Sequence, residues 1–160
     1  MCRPIPMHIE RHCFSDLNTI IDRVHSLFES WEKRDHRTED EKDTLCRAKL
    51  AVHEWVANLV QHAQFGARPE IWIEVRPHHE AIECVIEDNS HGFDFAAELD
   101  SRQGILEAFP ERGMGLLLLQ ACAENLSYAR NSVGNQRLEF RVAHGQVRGV
   151  DIPFRTPGTS

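Results

Sequence analysis

Three short stations, in order through the middle of the chain, constrain its fold more than any other feature. They are Glu54-Trp55-Val56-Ala57-Asn58 with His62-Ala63, then Asp88-Asn89-Ser90-His91-Gly92-Phe93-Asp94, then Arg112-Gly113-Met114-Gly115-Leu116. The first places a carboxylate and an amide one helical turn apart. The second ends a strand on an acid and enters a tight turn, and the third is a glycine turn opening a helix. A fold that gathers a helix edge, a strand end and a helix start offers an oxygen for a metal, an acceptor for a base amine and free N–H groups for phosphate. The ordered set suits a magnesium-bound nucleotide, although each station alone is weak.

Periodicity supplies the surrounding elements. Residues 5 to 11 form a first strand, and Ser15 caps a helix with apolar positions at Leu17, Ile20, Val24, Leu27, Phe28 and Trp31. Residues 32 to 37 are a charged link. Thr38-x-x-Glu41 is a capping box that starts a helix running to His62 or Gln64, stopped by Gly66, Arg68 and Pro69. Residues 70 to 76 and 81 to 87 alternate around Pro77-His78-His79-Glu80, the pattern of a β-hairpin. Residues 89 to 112 lack periodicity, and 95 to 111 are expected to form a mobile lid. A nearly all-apolar helix follows over 113 to 125. Residues 137 to 143 and 146 to 154 alternate again about His144-Gly145, and 156 to 160 read as a frayed tail. The order predicts an α+β fold: a two-layer sandwich whose mainly antiparallel, mixed sheet is covered by helices on one face. One domain over 1 to 160 is expected, with a core of about 5 to 143 and an extra strand at about 146 to 154.

Composition removes several functional classes. A net charge of -7, from 18 basic and 25 acidic residues, argues against a nucleic-acid binder. The five cysteines lie far apart without a CxxC pair, so a zinc cluster or disulfide framework is not expected and a reducing cytoplasm is. The start, MCRPIPMHIERHC, has no apolar run of a signal peptide, and Leu116 to Leu119 is too short to span a bilayer. His53-Glu54 opens like a zinc-protease HExxH helix, but position 57 is alanine. His78-His79-Glu80 reads as a solvated turn.

Each station also has a purely structural reading. On the second helix, Leu45, Ala48, Val52, Trp55 and Leu59 form the core stripe, and Glu54, Asn58 and His62 run along its edge, facing solvent or a cavity. An amide oxygen at Asn58 suits magnesium, and Glu54 one turn earlier could orient or deprotonate a nucleophile. Asp88-Asn-Ser-His-Gly92 is turn chemistry, or an adenine-amine acceptor followed by a glycine that lets the backbone approach the ring. Gly113-Met114-Gly115 is tight packing, or a phosphate cradle with Arg112 adding positive charge.

These stations resemble the N, G1 and G2 boxes of the Bergerat-fold ATPases, the superfamily of gyrase, MutL and the histidine kinases. Within it they look like the RsbW-like anti-sigma-factor serine/threonine kinases. Glu54-x-x-x-Asn58 with His62-Ala63 matches the N box, Asp88-x-Ser90-x-Gly92-Phe93-Asp94 matches DxGxGFD, and Arg112 to Leu116 matches RGLGL. Gly134-Asn135 resembles the closing turn. The likeness spans roughly residues 5 to 143. It departs from the pattern at Ser90, where the family usually has glycine.

The resemblance implies ATP and Mg²⁺ as cofactors, with Glu54 as base or orienter and Asn58 as magnesium ligand. It makes Asp88 the adenine acceptor, and Gly92, Gly113, Met114 and Gly115 the backbone close to base and phosphates, with Arg112 and His62 nearby. It implies a cytoplasmic kinase whose substrate is a STAS-type anti-sigma antagonist, with a sigma factor as second partner and a homodimer as a possible assembly. Two alternatives stay open: a non-catalytic partner-switching module, which Ser90 favours, and a stand-alone ATPase domain of a phosphorelay.

Overall fold

A computed structural model of the chain describes residues 10–34, 38–92 and 123–145. Its elements are β1 (Glu10–Phe14), α1 (Ile20–Arg34), α2 (Glu39–His62), β2 (Ile71–Pro77), β3 (Ala81–Asp88), β4 (Glu124–Arg130) and β5 (Gln136–Ala143). The strands form one sheet in the order β1-β2-β3-β5-β4, and every neighbouring pair is antiparallel. Helix α2 packs on β3 and β5, and α1 packs against α2. This is the expected α+β sandwich, and the described strands contain no parallel pair.

Strand alternation sorts the sheet into two faces. On the helix side, the pairing stacks Pro77–Ile82–Val142, then Val75–Cys84–Phe140, then Ile73–Ile86–Leu138 as rows across β2, β3 and β5. All members of these rows except Pro77 belong to the buried core. Burial pushes the Cys84 thiol far up, so it serves as a small apolar side chain. The opposite face is charged and self-paired. Arg137 meets Glu87 at 2.5 Å and Glu139 at 2.6 Å, Arg76 meets Glu74 at 2.6 Å, and Arg11 lies over the Trp72 ring.

The second helix forms as its sequence predicts. The Glu41 backbone N–H donates to Thr38 Oγ1 at 3.2 Å, and the Thr38 N–H donates to the Glu41 carboxylate at 3.3 Å. Leu45, Ala48, Val52, Trp55 and Leu59 are all buried. Tyr128 of β4 meets Trp55 edge to face, with centroids 5.1 Å apart. Along α1, Ile20, Val24, Phe28 and Trp31 make the core stripe, and the Trp31 indole N–H donates to Glu10.

Four boundaries differ from expectation. Strand β1 runs on to a buried Phe14, past residue 11, while residues 5 to 9 lie outside the described residues. Helix α1 starts at Ile20 because the Asp16 side chain accepts from the Asn18 N–H at 2.9 Å, making a turn where a Ser15 cap was expected. That helix also takes in residues 32 to 34 of the supposed link. Glu124 and Asn125, expected as the end of the apolar helix, instead open β4. Sequence reading had no strand there: Asn125 has φ 53° and the register shifts between Glu124 and Ser127, so the alternation is broken. The β4–β5 hairpin closes on Asn131, whose side-chain oxygen accepts from the Val133 and Asn135 N–H groups, with Gly134 at φ 89°. The expected lid (95 to 111), the body of the apolar helix and the strand at 146 to 154 lie outside the described residues.

Candidate functional site

The three apolar rows are followed, at one end of the sheet, by a fourth: Phe14–Ile71–Asp88–Gln136. Its β1 and β2 members are buried hydrophobes, and its β3 and β5 members are polar yet equally buried, with Asp88 at 0% exposure and Gln136 at 6%. An acid therefore occupies a core-facing position where the alternation of β3 would place an apolar residue. Burial raises its carboxyl above the usual range, and hydrogen bonds from Ser90 offset part of that rise.

One carboxylate oxygen is satisfied and the other is not. Asp88 Oδ1 accepts from the Ser90 N–H at 2.9 Å and from the Ser90 hydroxyl. Oδ2 is buried without a hydrogen-bond partner among the described residues. Leaving such an atom unmade costs about 1–3 kcal/mol, and native structures seldom tolerate this without a functional reason.

The turn behind Asp88 is stapled to the link between α2 and β2. Asn89 accepts through Oδ1 from the Glu70 N–H at 2.8 Å and donates through Nδ2 to the Arg68 carbonyl at 2.9 Å. The His91 N–H donates to the Gln64 carbonyl at 2.9 Å, and the His91 ring packs on Gly66. Gly92 has φ 78°, and a Cβ there would lie 2.7 Å from Gln136 Cδ. A side chain there would meet both a strained backbone conformation and the Gln136 amide, so the position favours glycine.

Because α2 ends at His62 and the chain enters β2 at Ile71 opposite Asp88, the last turns of α2 share this end of the sheet. Asn58 lies there, 7% exposed, and its Nδ2 donates to the Glu54 carbonyl at 2.7 Å, which orients the amide. Glu54 is half-buried, and its carboxylate is 3.8 Å from His53 Nδ1. His62 is exposed in the final turn. The structure thus brings Glu54, Asn58, His62, Asp88 and Gly92 to one end. Arg112, Gly113, Met114 and Gly115 lie outside the described residues. Sequence reading did not single out Asn89 or Gln136; their parts depend on strand pairing, which no local pattern displays.

The histidine-rich hairpin is structural. His78 pairs with Glu83 at 2.9 Å, and His144 reaches both Thr44 and the His78 carbonyl. Among the described residues no group of three or more His, Cys, Asp or Glu could hold a metal, and no helix is long and apolar enough to cross a membrane.

Comparison with known proteins decides the family. The model of the histidine kinase-like ATPase domain matches residues 14–139, which contain all three stations. The chain belongs to this family. It is also 27% identical over 114 residues to a serine-protein kinase RsbW of Bacillus cereus (strain G9842), covering 68% of this chain and 71% of the relative. A second serine-protein kinase RsbW, of Bacillus cereus (strain AH187), is 27% identical over 127 residues, covering 76% and 79%. The chain is thus an RsbW-like histidine kinase-like ATPase domain, and the buried acid of its fourth row falls in the box that sequence resemblance assigned to the base.

Proposed function

We propose that this ATPase domain binds Mg-ATP at the polar end of its sheet and phosphorylates Ser or Thr of an anti-sigma antagonist. A sigma factor is the partner it would hold between rounds. The observation that carries the reading is the buried Oδ2 of Asp88, an acceptor built into the core with no donor among the described residues. An exocyclic amine of adenine supplies the missing donor, and Gly92 lets the ring lie against the backbone. The two RsbW relatives, serine-protein kinases by name, support serine as the acceptor.

The remaining roles follow from placement. Asn58, held by its bond to the Glu54 carbonyl, would ligate magnesium through Oδ1. The half-buried Glu54 carboxylate would orient the attacking hydroxyl and take its proton. Arg112 with the N–H groups of Gly113, Met114 and Gly115 would receive the phosphates, and His62 stands at the rim. ATP supplies the phosphoryl group and magnesium spreads its charge; the protein's contribution to such a transfer is positioning and electrostatics.

Single-turnover transfer of labelled phosphate to an anti-sigma antagonist tests this. Asn58→Ala should lose magnesium-dependent binding and transfer together, whereas Glu54→Gln should keep most nucleotide affinity and lose transfer. A Glu54→Gln protein as active as wild type would remove Glu54 from the mechanism. Wild-type protein that binds Mg-ATP but phosphorylates no antagonist would favour a non-catalytic partner-holding module.

A further inference from the structure

Ser90 stands where the family pattern has glycine, and the structure shows what its hydroxyl does. The Gly92 N–H donates to Ser90 Oγ at 3.0 Å. With that lone pair engaged, the hydroxyl proton is directed to Asp88 Oδ1. The Ser90 backbone N–H reaches the same oxygen at 2.9 Å, a bond that any residue could make; the hydroxyl is what serine adds. Ser90 is itself only 4% exposed, so water does not readily replace it.

We propose that Ser90 is a positioning residue for base recognition: it commits Oδ1 of Asp88, leaving Oδ2 as the carboxylate's open acceptor. The inference rests on the nucleotide reading above. Its consequence is selectivity. An ionised carboxylate with one open oxygen takes an N–H donor and repels a carbonyl, so a 6-aminopurine is preferred to a 6-oxopurine. A protonated carboxyl could donate to that carbonyl and would blur the choice.

Two opposing influences set the carboxyl's ionisation: burial raises its pKa and the two Ser90 bonds lower it. Among the described residues, neither Glu87 beside it on β3, Glu70 before β2, His91 on the same turn, nor Glu54 and His62 on α2 is a cause of the shift. The partners across the sheet, Ile71 and Gln136, carry no charge. Removing the hydroxyl therefore leaves burial opposed only by the backbone bond.

The test compares wild-type full-length protein with Ser90→Ala and Ser90→Thr. Carbon-detected NMR follows the Asp88 carboxyl titration without nucleotide, and calorimetry measures ATP and GTP affinity from about pH 5 to about pH 8. In Ser90→Ala the carboxyl midpoint should move to higher pH. ATP affinity should fall about tenfold at the acid end and less at the alkaline end, and the ATP-to-GTP ratio should shrink as pH falls. Threonine, which keeps the hydroxyl, should restore all three. An unmoved carboxyl midpoint with an unchanged affinity profile in Ser90→Ala would overturn the proposal. Wild-type protein that binds neither nucleotide would contradict the nucleotide reading. The carboxyl titration would still decide the Ser90 contact, a raised midpoint sustaining it and an unmoved one overturning it.

Discussion

Two adjacent rows of the same sheet face do opposite work. Ile73–Ile86–Leu138 is wholly apolar and buried, and nothing in it asks for a further partner. One step along the same strands, Ile71–Asp88–Gln136 is just as buried but carries an acid with one oxygen unsatisfied among the described residues. Strand alternation and pairing are identical in the two rows, so geometry does not explain the change. The first row stabilises the fold, and the second accepts a local cost that a ligand can offset.

The sharpest contrast comes from deleting volume in an apolar row. Phe140→Ala, at a site 1% exposed, should destabilise the fold by about 3–5 kcal/mol in denaturant unfolding. A loss below about 1 kcal/mol would mean that these rows do not carry the core. Next comes Gly92→Ala, which forces a side chain into positive φ and against Gln136. It should cost about 2 kcal/mol, measured the same way, and weaken nucleotide binding as well.

Asp88→Asn should move stability in the opposite direction. A carboxyl whose folded pKa is raised binds its proton more tightly when folded. The native state is then favoured at low pH, and that advantage is lost as pH rises from the unfolded value through the folded one. At neutral pH the ionised group works against folding. The variant should therefore be at least as stable as wild type at pH about 7, and its advantage should shrink as pH falls through the raised folded value and be gone below about pH 4. Unfolding curves across pH check this, and a variant markedly weaker than wild type at neutral pH would show that Asp88 stabilises the fold. The smallest effect belongs to the outer surface. Glu80 meets Arg141 at 3.5 Å while 85% exposed, so Glu80→Ala should change stability by less than about 0.5 kcal/mol.

The same contrast explains what the sequence could disclose. Helix α2 was legible because its capping box and apolar stripe are local patterns, and the β2–β3 hairpin was legible from alternation around Pro77. Strand β4 was not, because a bulge and the positive φ of Asn125 interrupt its period. Asp88 and Gly92 could be singled out as strand-end acid and turn glycine, but the orphaned oxygen could not. Ser90, which bonds the other oxygen, was legible in sequence only as a departure from glycine favouring a non-catalytic module. Gln136 and Asn89 were invisible for a related reason: the first matters by lying across from Asp88, the second by reaching back to Arg68 and Glu70.

The central claim is that the open oxygen of Asp88 receives a nucleotide base. Calorimetric titration of wild type and Asp88→Asn with ATP and Mg²⁺ addresses it directly. Wild type should bind, and the variant should bind about ten- to a hundredfold more weakly while remaining fully folded, the loss expected for a charge-assisted acceptor. Equal affinity in the folded variant, or no binding by wild type, would contradict the account.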